Sequence, residues 1–283
     1  MRFLALLLAF PLTFAVAQRP AATLRASVPA PAACAAGDPT GILIHFLDIG
    51  QGDAILVRTP SVDPILVDTG PPGGEVAEAI GESGGGRLGA LVLTHLDRDH
   101  VGEFDRVLER FEVGSVLADQ ATTAMRAAIR SEGAAFRRIG TGDLFRLGPA
   151  EVEVLWPPLG TSDTVPGDRN ARSVVLLIRI AGRTILLTGD AEAELVPLDP
   201  GPIDVLKVAH HGSEDTGLPD FLASTGPAVA LISAGEGNPY GHPVESTTSA
   251  LRKVGSTTFR TDRDGSISVL VEPSGRITVE KSG

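Results

Sequence analysis

Leu88-Gly89-Ala90-Leu91-Val92-Leu93-Thr94-His95-Leu96-Asp97-Arg98-Asp99-His100 runs from an apolar segment straight into a cluster of two imidazoles and two carboxylates. The part from Leu88 to Thr94 reads as a buried strand. Side chains at i and i+2 share one face of a strand, so His95 and Asp97 can point to one metal. Asp99 and His100 follow in the turn before a helix and can reach a second. Groups of this kind cannot crowd together at a strand end without a counter-charge. A divalent metal pair is the simplest way to supply it.

Other acidic and imidazole groups sit in matching places. Asp68 in Val67-Asp68-Thr69-Gly70 and Asp190 in Leu187-Thr188-Gly189-Asp190 each end an apolar run beside a glycine, where a carboxylate can bridge or orient metals. His210 and His211 close Val205-Leu206-Lys207-Val208-Ala209, and His242 lies in Tyr240-Gly241-His242-Pro243. Of the 6 histidines only His45 falls inside an apolar strand, and there a hydrogen-bonded core histidine is expected. Lys207 lies next to this cluster in sequence and is expected to be solvated.

With 283 residues the chain can bury a substantial core. A net charge of -11 argues against broad, non-specific attraction to nucleic acid, although divalent ions would reverse the sign locally. The single cysteine, Cys34, excludes an intrachain disulfide and reads as a linker thiol rather than a lipid-attachment site. Arg2, the apolar run Phe3 to Val16 and Ala15-Val16-Ala17 together read as a cleaved signal peptide over residues 1–17. The mature chain is then secreted or periplasmic, with no transmembrane domain. Residues 18–40 are an Ala/Pro-rich linker, and residues 41–283 form the folded domain.

Short β-branched runs bounded by Gly, Pro or Asp predict strands at Ile42 to Leu47, Ala54 to Val57, Ile65 to Val67, Val113 to Leu117, Leu144 to Leu147 and Val152 to Trp156. Further strands are expected at Ile203 to Val208, Val229 to Ile232, Thr257 to Phe259, Ile267 to Val271 and Ile277 to Val279. Ser173 to Ile180 and Arg183 to Thr188 form a hairpin about Ala181-Gly182. Helical spacing covers Glu75 to Gly81, Val101 to Phe111, Thr122 to Glu132 and Val244 to Val254. Two halves that both mix strands and helices predict an α/β fold, a four-layer αββα sandwich. Several local features carry no chemistry. Gly84-Gly85-Gly86 lacks the Gly-Lys-Ser/Thr of a phosphate loop. Ser213 is a turn or capping serine, Thr261 to Gly265 a turn, and Trp156 a strand-end packing group that offers no stacking platform for bases.

The motifs as a set resemble the metallo-β-lactamase superfamily, and more narrowly the C-terminal hydrolase domain of the ComEC competence proteins. The matching residues are Phe46-Leu47-Asp48-Ile49-Gly50-Gln51-Gly52-Asp53-Ala54, Leu66 to Gly70, Thr94 to Gly102, Asn170 to Ser173, Leu187 to Asp190, Lys207 to Ser213 and Tyr240 to Pro243. The resemblance spans roughly residues 43 to 280. It implies the metallo-β-lactamase fold and a two-metal site. His95 and Asp97 would hold metal one, and Asp99, His100 and His211 metal two. Asp190 would bridge, Asp68 would orient the ligands, and Asn170 would stand where many members place a third histidine. Asp97 and Asn170 trade nitrogen for oxygen, which makes manganese plausible beside zinc.

The expected activity is hydrolysis of a phosphodiester, DNA included, by metal-activated water. Asp99, His210 and His242 are the catalytic candidates, the two histidines binding phosphate or protonating the leaving oxygen. The competing readings are another hydrolase of the same fold (a lactonase or β-lactamase) and a weakly active accessory module of DNA uptake.

Overall fold

Ile42, Ile44 and Phe46 turn to one side of their strand and are fully buried, while Leu43 and His45 turn to the other and are half-buried. That two-residue alternation recurs through the chain and sorts its apolar residues into layers. The structure is a computed structural model, and it describes residues 23–24, 41–60, 62–82, 85–160 and 169–283. The expected signal peptide, nearly all of the expected linker with Cys34, and Gly84 lie outside the described residues.

In chain order the elements are β1 (Thr23–Leu24), β2 (Ile42–Phe46), β3 (Ile55–Thr59), β4 (Val62–Val67), α1 (Val76–Glu82), β5 (Arg87–Leu93), α2 (Arg98–Val101), α3 (Phe104–Arg110), β6 (Glu112–Ala118), α4 (Thr123–Ser131) and β7 (Ala135–Arg138). The chain continues with β8 (Leu144–Leu147), β9 (Ala150–Trp156), β10 (Val175–Ile180), β11 (Arg183–Leu187), β12 (Val205–Lys207), α5 (Leu218–Thr225) and β13 (Val229–Ile232). It closes with α6 (Glu245–Lys253), β14 (Thr257–Arg260), α7 (Thr261–Asp264), β15 (Ile267–Val271) and β16 (Ile277–Lys281). One sheet runs β1-β16-β15-β2-β3-β4-β5-β6-β7 and the other β14-β13-β12-β11-β10-β9-β8.

Three apolar clusters define the layers. Ile44, Val57 and Val92 of the first sheet meet Val154, Ile178 and Val205 of the second. Behind the first sheet, Leu56 and Leu91 pack on Ile80, Phe104, Val107 and Ile129 of α1, α3 and α4. Behind the second, Leu177 and Leu206 pack on Phe221, Leu222 and Leu251 of α5 and α6. The central strands therefore bury both faces, at about 1.5–3 kcal/mol per large apolar side chain, while the edge strands β7 and β8 stay partly exposed. The result is the four-layer αββα sandwich expected from the sequence.

The expected helix over Val101 to Phe111 is instead two short helices, α2 and α3, broken at Gly102–Glu103. Gly102 donates to the carbonyl of Gly70, and a Cβ there would lie 2.3 Å from the Pro72 nitrogen. The residue thus serves a backbone crossing that helical spacing does not reveal. Thr261–Asp264, expected as a turn, closes one helical turn.

Strands β4, β5 and β6 run parallel to one another, as do β11, β12 and β13. Their C-terminal ends carry Asp68, His95, Asp190 and His211. The backbone of Val174, at the start of β10, donates to the Thr94 carbonyl at the end of β5 and ties the two sheets together there, at 2.8 Å.

Candidate metal centre

Three interlocked loops hold the segment His95–Gly102. The nitrogen of Asp53 donates to the Asp99 carbonyl (3.2 Å), that of Thr69 to the His100 carbonyl (2.7 Å), and that of Gly70 to the Asp53 carbonyl (2.8 Å). A Cβ at Gly52 would lie 2.2 Å from the Asp99 carbonyl oxygen, so only glycine allows this approach. Asp68, His210 and His211 adopt left-handed backbone, with φ of 59°, 48° and 54°. Such geometry in non-glycine residues persists where the surroundings over-determine it, and it gathers at functional sites.

Each imidazole is aimed by its Nδ1. His100 Nδ1 donates to Asp68 Oδ2 at 2.7 Å, and Asp68 is fixed in turn by the backbone and hydroxyl of Thr94, at 2.8 and 2.6 Å. His95 Nδ1 lies 3.1 Å from Thr94 Oγ1 and 3.3 Å from Ser173 Oγ. His211 Nδ1 lies 3.0 Å from the Ser233 carbonyl. Engaging Nδ1 in this way leaves the Nε2 lone pair of each ring for a ligand.

Those three Nε2 atoms converge on one carboxylate oxygen. Asp190 Oδ2 is 3.2 Å from His100, 3.7 Å from His211 and 3.8 Å from His95. Among the described residues, the Nε2 atoms of His95, His100 and His211 are buried with no hydrogen-bond partner, as is Asp190 Oδ1. Buried polar atoms are seldom left so, and here they fit divalent cations. Ligand atoms of His95, His100 and Asp190 lie within 4.8 Å of one another, as do those of Asp99, His100 and His211. His100 thus belongs to both groups, where the resemblance had assigned it to one. Asp53 joins two further groups, with Asp190 and His211 and with Asp68 and His100.

The remaining expected residues are placed as follows. Asp97 Oδ2 is 3.8 Å from His95 Nε2, while its Oδ1 accepts from Arg169 at 2.8 Å. The Asn170 amide lies 3.3 Å from Nε2 of His210. His210 turns away from the cluster and pairs through Nδ1 with Glu192 at 2.9 Å, so of the two adjacent histidines it is His211 that faces the carboxylates. Ser213, expected as a turn or cap, hydrogen-bonds Glu192. His242 stacks edge-on against His210 at 5.7 Å. His45, as expected, is hydrogen-bonded, to Ser268 at 2.7 Å. Trp156 closes β9 and donates to the Ala171 carbonyl at 2.7 Å.

Lys207 corrects the sequence reading. It is fully buried, pairs with Asp53, donates to the Gly189 carbonyl at 2.8 Å and lies 3.7 Å from Asp190 Oδ1. It ends β12, a strand flanked on both sides by others, so no water reaches it. The sequence showed neither that placement nor the distant partner Asp53, although the Gly52-Asp53 motif offered a carboxylate beside a glycine turn. Glu192 and Arg169 were missed too, and nothing local marks them.

Electrostatics sharpen these roles. Burial would raise the Asp99 carboxyl, but the His211 ring, with Nε2 3.3 Å from Oδ2, and the charge of His100 outweigh it and hold it at about 2. Burial opposes a charged His100, yet Asp190 and Asp68 overwhelm that and push its pKa well up. A proton or a cation can answer the same carboxylates, but only one can occupy Nε2. For the metal-free protein the sign follows. A group that binds its proton more tightly when folded contributes stability below the unfolded value, near 6.5, and loses it as pH rises through the folded value. Metal-free protein is therefore expected to lose melting temperature as pH rises above about 7. Protein loaded with divalent metal should not show that loss. Parallel slopes for the two forms, measured by calorimetry, would contradict it.

Comparison with known proteins agrees with this architecture. The metallo-beta-lactamase superfamily model matches residues 47–236. ComE operon protein 3 of Bacillus subtilis (strain 168) is 32% identical over 255 residues, covering 79% of this chain and 32% of the relative. Competence protein ComA of Neisseria gonorrhoeae is 32% identical over 229 residues, covering 78% of this chain and 31% of the relative. The chain thus spans about a third of the length of these relatives. The crystal structure of the metallo-beta-lactamase fold protein YhfI from Bacillus subtilis superposes with a TM-score of 0.55 at 12% identity, over 78% of this chain and 95% of that one. With the sandwich, the loop-borne histidines and the matched sequence in agreement, this chain belongs to the metallo-beta-lactamase superfamily.

Proposed function

We propose that the chain is an exported, two-metal phosphodiesterase acting on nucleic acid. The observation that carries this reading is the convergence of three buried, unpartnered Nε2 atoms on Asp190. His95 and Asp97 would serve one ion and Asp99, His100 and His211 the other, with Asp190 between them. Bound there, divalent ions would lower the pKa of water and neutralise charge on a phosphoryl group.

The chain's own residues divide the rest of the work. The hydrogen bond that His210 donates to Glu192 raises the His210 pKa, which makes His210 the proton donor to the leaving oxygen. Burial, reinforced by His210 and His211, lowers that of His242, so His242 meets substrate as a neutral ring. Lys207 keeps its proton despite burial, because Asp53 and Asp190 face it. It is a fixed positive charge behind Asp190.

DNA as the substrate draws on the names of the relatives, a ComE operon protein and a competence protein. Export draws on Arg2, the apolar run Phe3 to Val16 and Ala15-Val16-Ala17. The test is protein loaded with Mn²⁺ or Zn²⁺ and offered a chromogenic phosphodiester, single-stranded DNA and a β-lactam. Turnover of the first two, abolished by EDTA, is expected. Turnover of the β-lactam alone would make it a different hydrolase of the same fold. DNA binding with an empty metal site and no turnover would make it an accessory module.

A further inference from the structure

The five loop histidines form a row of rings. His95 and His100 have centroids 4.1 Å apart, His100 and His211 5.3 Å, His211 and His210 6.2 Å, and His210 and His242 5.7 Å. The row does not stop there. Tyr240 lies 5.9 Å from His242 with the planes inclined by 31°. It is the only tyrosine of the chain and is 66% exposed.

The loop that carries these two rings is tied down. Asn238 Nδ2 donates to the carbonyls of Gly235 (2.9 Å) and His242 (2.6 Å), and its Oδ1 accepts from the His242 nitrogen at 3.1 Å. The Gly235 nitrogen donates to Gln51 Oε1 at 3.1 Å, which anchors the loop to the Gly50–Asp53 turn on the first sheet. Tyr240 is therefore an aromatic face presented from a fixed loop, at the outer end of a row that begins among the metal-binding candidates.

We propose that Tyr240, backed by His242, is the platform on which a nucleobase of the substrate stacks while its phosphate lies at the metal centre. This rests on the phosphodiesterase reading. A chain of net charge -11 offers a polyanion little long-range attraction away from the metal centre. Affinity beyond the metal centre then rests on short-range contact, and stacking needs no charge and accepts any base. Trp156 cannot serve, because its ring packs against the core behind the second sheet.

The experiment compares binding of two fluorescein-labelled probes to the metal-loaded full chain by anisotropy. One is a hexathymidine with phosphorothioate links, and the other an abasic hexamer with the same links and charge. Wild type is expected to prefer the thymidine probe by about 5- to 100-fold, the range of one stacked base. Tyr240→Phe keeps that preference and Tyr240→Ala removes it. Equal binding of the two probes by wild type would overturn the proposal. So would a preference that survives in Tyr240→Ala or disappears in Tyr240→Phe. The phosphodiesterase reading fails separately, by absence of turnover of oxygen-linked esters. The ratio between the two probes is read whether or not turnover is seen.

Discussion

Asp190→Asn is expected to strip the protein of at least one metal ion and to lower phosphodiester turnover on the order of 10³-fold, about 4 kcal/mol in the barrier. The reason is central placement. Asp190 Oδ2 is the one oxygen within 3.2, 3.7 and 3.8 Å of the three orphaned imidazole nitrogens. An amide has the same shape but supplies no negative charge to hold two cations together, and its NH₂ would face bare nitrogens or metal. The side chain is fully buried, and its pKa is set by opposing influences. Burial raises it, and the charges of His100 and His211 outweigh burial and carry it well below the usual range. It is thus ionised at neutral pH. Elemental analysis of purified protein and turnover of a chromogenic phosphodiester check the expectation together. A variant with the full metal content and undiminished rate would show that Asp190 is not the shared ligand.

Lys207→Met should produce the largest loss of stability among single changes near the site. The ammonium is buried with Asp53 as its partner. Removing one member of a buried ion pair leaves the other charged and unsolvated, at roughly 3–5 kcal/mol. For a domain of this size that lowers the melting temperature by about 10 °C. Methionine matches the length of the lysine stem, so lost volume is not the cause. The double variant Asp53→Asn with Lys207→Met should recover most of the loss, because the uncompensated charge is then gone. Calorimetry on the metal-free forms decides the matter. If Lys207→Met melts with wild type, the pair is not what holds this part of the fold together.

These two residues also show where sequence reading succeeds and where it stops. Asp190 was legible because it ends an apolar run beside a glycine, a local pattern. His95, Asp99 and His100 stood out as a cluster directly after an apolar run, and His211 as one of two histidines closing another. Strands buried on both faces were equally clear, and Val229–Ile232 and Ile267–Val271 have the limits expected. Lys207 was misread because its burial depends on Asp53, which lies in a loop of the other sheet and far away in the chain. Ala135–Arg138 was missed because an edge strand with Arg137 and Arg138 carries little apolar signal. Leu218–Thr225 was missed because it is a short helix with a proline in its first turn. Tyr240 went unread as a platform because one aromatic residue gains meaning only from the rings beside it.

The seam between the two sheets gives the centre one more property. His95, Asp99 and His100 come from the first sheet's loops, and Asp190 and His211 from the second's. The groups His95, His100, Asp190 and Asp99, His100, His211 each draw donors from both halves of the sandwich. A cation bound there works as a rivet through two plates, since it can grip only after they have closed on each other. Metal binding by these two groups is therefore expected only after the two halves have come together.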